Sequence, residues 1–251
     1  MFTQKPADRG YAIWLSDPSV AAAEIARGIG YGAVVLDIEH GSFDLKDLER
    51  FVPFLRGLGM DVLAKVLGPE RGPIQQALDF GANAVVIPHI ENAAHAKEIT
   101  AFAKFPPLGD RSFAGGRTAR YGGFSDDWVA EQDCGTRCYP MIEDAGAILE
   151  IRDILALDTV DGVFVGPSDL SLRRQRGAYP RDDGDFADLA AVADAAAAAG
   201  KPWVLPAWSK DEKEFAVRHG ADQMALIMEH GALAAGFAAP FEQIQAIGSG
   251  R

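Results

Sequence analysis

Apolar residues recur along this chain in short blocks, separated by longer stretches with helical spacing. Tyr11 to Leu15 (YAIWL), Ala33 to Leu36, Asp61 to Leu67 and Ala84 to Ile87 are short runs rich in β-branched and aromatic residues, and they predict buried strands. Helices are predicted between them over Val20–Arg27, Leu45–Leu58, a short segment from Pro73 to near Asp79, and Ala93–Phe102. In the second of these, Leu45, Leu48, Phe51, Val52 and Leu55 fall on one helical face. Ser16 or Ser19, Asp44 and Asn92 stand where N-caps belong, and Gly28 and Gly30 end the first helix. The rhythm resumes later with strands Tyr139–Ile142, Val160–Val165, Pro202–Leu205 and Ala221–Met228. Helices Ala145–Leu155, Phe186–Ala199 and Lys210–His219 alternate with them, and Ala232–Ile247 reads as one or two apolar helices. Two stretches break the pattern. Phe105 to Cys138 is long, rich in Gly, Arg and aromatics, and shows little periodicity, and Leu172 to Asp185 reads as a polar loop. Long irregular segments in compact domains are usually functional or flexible.

Eight strands alternating with helices predict a parallel α/β fold. No Gly-x-Gly-x-x-Gly follows the first strand and no P-loop occurs, which favours a closed (β/α)8 TIM barrel over an open doubly wound sheet. A length of 251 residues, 48% hydrophobic, suits one barrel domain over 1–251, with a helical tail from about residue 232.

Charge narrows the partners. A net charge of -12 argues against nucleic acid and anionic membranes, so an anionic substrate needs a locally positive site. The only cysteines, Cys134 and Cys138, imply no disulfide framework and fit a reducing cytoplasm. They lack further ligands for zinc and read as two loop thiols. Met1 to Gly10 is polar, with no signal-peptide core, and no apolar run approaches the ~20 residues of a membrane span.

In such barrels chemistry sits at the C-terminal strand ends. Those ends carry Asp37, Glu39 and His40 after the second strand, Lys65 at the third, His89 at the fourth, Glu143 at the fifth, Ser168 and Asp169 at the sixth, Trp208 at the seventh and Glu229 at the eighth. Glu143 and Asp169 are a natural pair for Mg²⁺ or Mn²⁺, with Co²⁺ a third candidate, because hard cations take oxygen ligands. A 2-oxo acid would share that cation through its keto and carboxylate oxygens. His40 is a candidate general acid/base, oriented by Asp37 and Glu39. Each residue also has a plainer reading. Ser168 or Asp169 would cap a helix, and His40 would bond to backbone at a helix entry. Lys65 would hold a substrate oxygen, form a Schiff base, snorkel, or serve in an ion pair. Trp208 would line the mouth or simply pack. His89, His95, His219 and His230 read as structural or surface residues.

Several motifs together resemble the HpcH/HpaI family of class II, metal-dependent pyruvate aldolases. They are Val35-Leu36-Asp37-Ile38-Glu39-His40, Leu78-Asp79-Phe80-Gly81, Phe105 to Arg111 (FPPLGDR), Ile142-Glu143, and Gly162 to Ser171 (GVFVGPSDLS), in consistent order from about Tyr11 to Met228. The resemblance implies a (β/α)8 barrel with a divalent metal on Glu143 and Asp169, reversibly cleaving a 4-hydroxy-2-oxo acid to pyruvate and an aldehyde. It implies a substrate carboxylate near the Ser168 and Asp169 amides, and proton transfer by His40, directly or through a metal-bound water. Asp37 and Asp79 match family acids near that histidine, Asp79 coming from a neighbouring subunit. A hexamer built from dimers, with exchanged C-terminal helices, is also implied. Two departures touch the pyruvate pocket: Lys65 stands where the family has arginine, and Met141 where it often has glutamine. Lysine keeps the charge and loses the planar fork. In the long segment, Arg111, Arg117 and Arg120 read either as ligands of the aldehyde or a distal carboxylate, or as surface ion pairs. Two other functions fit the same barrel: an acyl-CoA or citrate-lyase-β type lyase, and a binding protein that holds a 2-oxo acid without turnover.

Overall fold

The computed structural model describes residues 8–248. It contains strands β1 (Asp8–Leu15), β2 (Tyr31–Asp37), β3 (Asp61–Lys65), β4 (Ala84–Ile87), β5 (Arg137–Ile142), β6 (Val163–Val165), β7 (Trp203–Pro206) and β8 (Gln223–Met228). Each strand pairs in parallel with the next, and β8 returns to β1 through Tyr11↔Met224 and Trp14↔Met228. The predicted (β/α)8 barrel is the observed fold. Its helices are α1 (Val20–Ile29), α2 (Leu45–Gly57), α3 (Arg71–Asp79), α4 (Ala93–Thr100), α5 (Asp126–Gly135), α6 (Ala145–Leu149), α7 (Ile151–Leu155), α8 (Pro167–Arg173), α9 (Asp183–Ala199), α10 (Lys210–Arg218) and α11 (Glu229–Gly248). The side chains of Ser19, Asp44 and Asn92 cap α1, α2 and α4, as their positions predict. None of the helices in the described residues is long and apolar enough to cross a membrane.

The strands are apolar on both faces because each face has its own core. Val34 and Leu36 of β2, with Val62 and Ala64 of β3, pack against the helices. Ala33, Val35, Leu63, Val86, Tyr139, Met141, Phe164 and Val204 fill the barrel's interior with Trp14. Full burial of one such side chain favours the fold by roughly 1.5–3 kcal/mol, and a one-residue slip would exchange the two faces. The same period of two positions the site. Asp37 lies two residues beyond Val35, Lys65 two beyond Leu63, Glu143 two beyond Met141 and Gly166 two beyond Phe164, all four predecessors being inward-facing. The polar residues thus continue the inward register past the last apolar layer, at the C-terminal rim.

Several local expectations are corrected. The segment from Phe105 to Cys138 is not wholly irregular, since it contains α5, whose N-cap Ser125 accepts the Trp128 backbone N–H. No residue of α5 is buried, so the helix has no apolar stripe to betray it. Trp128 instead packs on Phe105 and Phe113, with ring centroids 5.5 and 5.6 Å away. The two cysteines are not loop thiols. Cys134 is exposed on α5, and Cys138 is buried in β5, where burial pushes its thiol up and away from metal-binding thiolate chemistry. The span Ala145–Leu155 is two helices meeting at Glu150. The polar loop from Leu172 is shorter than expected, because α9 begins at Asp183 on a capping box of Asp182 and Asp185. Neither Ser168 nor Asp169 caps α8: Gly166 holds the cap position and Pro167 opens the first turn.

Candidate active site

The rim is built from strand ends upward. Asp37 and Lys65 are register partners across β2 and β3, and both are buried. Lys65 Nζ donates to Asp37 Oδ1 at 3.1 Å and also contacts Glu39 Oε2. One buried ammonium therefore serves two nearly buried carboxylates. Asp37 is further fixed by the Trp14 indole, whose Nε1 donates to Oδ2 at 3.2 Å, and by the His40 backbone N–H at 3.2 Å. Asp37 thus acts on the backbone of His40 rather than on its ring. The ring lies 3.5 Å from Glu39 Oε1 and is otherwise open to the mouth, its side chain 67% exposed.

Glu39 is the hub of this rim, and His89 is its second partner. His89 Nε2 lies 2.6 Å from Glu39 Oε1, and the His89 backbone N–H donates to Glu143 Oε1 at 2.6 Å. One residue so ties the ends of β2, β4 and β5 together. It does so from a left-handed conformation, φ 60°, directly after Pro88. From sequence alone His89 reads as structural or surface. The available signal was its place at the end of the fourth strand, in line with the other rim residues.

Glu143 is 3% exposed, and burial holds its carboxyl above the ordinary carboxylate range, with the Asp169 charge adding to the rise. Gly166 makes room for it. A Cβ at that position would stand 2.8 Å from Glu143 Oε2 and 2.7 Å from the Met141 methyl. Asp169 sits in the first turn of α8, and no side chain caps that turn. Two mutually repelling carboxylates, one without water, are a donor set that fits a hard divalent cation. Such ions commonly take one or two protein carboxylates and leave positions for water and substrate. Among the described residues no group of three His, Cys, Asp or Glu side chains is gathered for a metal.

A cavity of about 220 Å³ opens at the rim, and Asp37, His40, Lys65, Ser168 and Asp169 all line it. Trp208 lines it too, its ring 5.8 Å from that of Trp14. The structure brings these together with Glu143, which lies against Gly166. It places three other candidates elsewhere. Asp79 ends α3, at the end of that helix remote from the mouth, and pairs with Arg111 at 2.8 Å. Arg111 is buried on the Phe105 ring, 4.6 Å from its centroid. Glu229 opens α11 and is buried outside the cavity lining.

The family model described as HpcH/HpaI aldolase/citrate lyase matches residues 11–234. The 4-hydroxy-2-oxovalerate aldolase of Novosphingobium aromaticivorans is 34% identical over 170 residues, 66% of this chain and 63% of that protein. The 2-keto-3-deoxy-L-rhamnonate aldolase of Klebsiella pneumoniae is 32% identical over 174 residues, 68% and 64% of the two chains. The matched region therefore spans a little under two thirds of these relatives. The crystal structure of the HpcH/HpaI aldolase from Desulfitobacterium hafniense superposes with a TM-score of 0.87 at 24% identity, over 95% of this chain and 93% of that one, and shares its fold.

Proposed function

The chain belongs to the HpcH/HpaI aldolase/citrate lyase family, and on that premise we propose that it is a metal-dependent aldolase. It reversibly cleaves a 4-hydroxy-2-oxo acid to pyruvate, or a related 2-oxo acid, and an aldehyde. The carrying observation is the buried Glu143 carboxyl, raised by burial and by the charge of Asp169, at the rim of a cavity that also holds a general acid/base. Relatives named as aldolases of 4-hydroxy-2-oxovalerate and 2-keto-3-deoxy-L-rhamnonate support the reaction class. Glu143 and Asp169 would hold Mg²⁺ or Mn²⁺, with Co²⁺ a further candidate. When bound, that ion supplies the Lewis acid that polarises the keto group.

The remaining roles fall to side chains of the rim. The first-turn amides at Ser168 and Asp169 receive the substrate carboxylate. Lys65 has three N–H donors and spends two on Asp37 and Glu39, which leaves one for the keto oxygen. His40 moves the proton at the 4-hydroxyl oxygen, its backbone fixed by Asp37. Asp79 serves a neighbour's mouth across a subunit contact, and Arg111, buried and bonded to it, positions its carboxylate. The assembly we propose is a homo-oligomer, a hexamer built from dimers with α11 exchanged between barrels. The support is an α11 whose Phe237, Phe241 and Ile247 lie exposed in the single chain. The two free cysteines suit a reducing cytoplasm.

Deuterium exchange at the pyruvate methyl tests the reading. With Mg²⁺ or Mn²⁺ the protein exchanges that methyl, and Glu143→Gln or Asp169→Asn lowers the rate by at least about 100-fold. No exchange with any divalent ion, alongside no cleavage of any 4-hydroxy-2-oxo acid, would overturn it.

A further inference from the structure

The cavity at the rim has two unlike walls, and from them we infer that the aldehyde half of the substrate carries an uncharged apolar substituent that packs on Trp208. Trp208 is then a specificity-determining residue, an assignment that rests on the aldolase reading above. One wall is polar: Asp37, His40, Lys65, Ser168 and Asp169. The other is Trp14, Met141, Pro206, Trp208 and Met228.

The polar wall has no cation to spare. Lys65 is the buried positive charge, and it already serves both Asp37 and Glu39. Among the described residues no arginine lines the cavity. Two arginines of the long segment are held elsewhere. Arg111 is bound to Asp79 at 2.8 Å and is 2% exposed, while Arg117 reaches the Glu49 carbonyl at 3.4 Å. Even if a neighbouring subunit delivered the Asp79–Arg111 pair to this mouth, the pair would bring no net charge. With the divalent ion engaged by the 2-oxo acid end, a substituent ending in carboxylate would therefore lose water and gain no counter-ion from the side chains of the wall.

The apolar wall is held in place. Trp14 cannot turn away, because its indole N–H is tied to Asp37 and its ring packs on Phe164 at 6.0 Å. Trp208 meets Trp14 edge-on at 79°, and Lys213 Nζ anchors the Trp208 carbonyl at 2.8 Å. Such paired rings offer a flat, rigid surface at low entropic cost to an incoming alkyl or aryl group.

The test is a pair of 4-hydroxy-2-oxo acids of equal length, one alkyl-ended and one carboxylate-ended, cleaved by the wild-type protein with Mg²⁺ or Mn²⁺. We expect kcat/KM for the alkyl-ended acid to be at least about tenfold higher. Trp208→Ala should shrink that ratio by about tenfold, and Trp208→Arg should raise cleavage of the carboxylate-ended acid relative to the alkyl-ended one. Equal or reversed preference in the wild type, or a ratio unmoved by both substitutions, overturns the proposal while leaving the aldolase reading standing. Absence of both methyl exchange on pyruvate and cleavage of either acid by the wild type overturns both.

Discussion

At the scale of single residues, Lys65 carries more than its own charge. It is the shared counter-ion of two acids that are themselves almost out of water. Lys65→Ala leaves both carboxylates uncompensated, and chemical denaturation should show a loss of about 3–5 kcal/mol, the usual cost of breaking a buried pair from one side. An effect below about 1 kcal/mol would mean the pair is solvated in solution. Glu143 makes the opposite prediction. Its carboxyl pKa lies higher in the folded chain than in the unfolded one, chiefly through burial. Such a group favours folding while protonated, and that contribution is lost as pH rises through the folded value. In metal-free protein near pH 7, Glu143→Gln should therefore raise Tm, and the gain should vanish below about pH 3.5, where the carboxyl is largely protonated in both states. Calorimetry in EDTA checks it, and an unchanged or lower Tm near pH 7 would contradict the burial argument. The residues visible in the sequence were those whose chemistry is local: a carboxylate, lysine or histidine directly after an apolar run. Asp37, His40, Lys65, Ser168 and Asp169 were found that way, and they share one cavity. His89 was passed over because its role depends on a left-handed backbone and on two partners about fifty residues away, neither of which has a sequence signature. Asp79 and Arg111 were named from family motifs, and only the coordinates show that they bind one another.

At the scale of elements, strand register decides where chemistry can occur. The period of two that sends Val35, Leu63 and Met141 into the barrel also delivers Asp37, Lys65 and Glu143 to its rim. The turn after β6 leaves this arrangement little room. Gly166→Ala puts a methyl within 2.8 Å of Glu143 Oε2, so the carboxylate or the turn must shift. Displacing a positioned group by about 1 Å can cost on the order of 100-fold, which steady-state kinetics on Gly166→Ala should show with little change in overall fold by circular dichroism. A variant of wild-type activity would mean that Glu143 has slack. Strands and capped helices were legible because burial and capping write their own patterns, as at Ser19, Asp44 and Asn92. Helix α5 was not, because it buries nothing and is held by Trp128 docked on Phe105 and Phe113 and by the bonds of Lys104 and the Phe105 N–H to Asp133, none of which has a periodic signature.

At the scale of the whole molecule, the proposed assembly rests on the exposed face of the last helix. Helix α11 runs twenty residues and leaves Leu233, Phe237, Phe241, Ile244 and Ile247 each at least 48% exposed. A row of apolar side chains at that spacing is what a subunit interface looks like before it is closed. Phe237→Asp combined with Phe241→Asp should shift the sedimentation coefficient to that of a monomer. A double variant that still sediments with the wild type would remove α11 from the interface. The closed barrel has its own consequence. Trp14, Tyr139 and Phe164 plug its lumen, so nothing threads through it. The rim is a cul-de-sac with one doorway. Two molecules seated there one behind the other must depart in reverse order of arrival, and the deeper of the two waits for its companion to go.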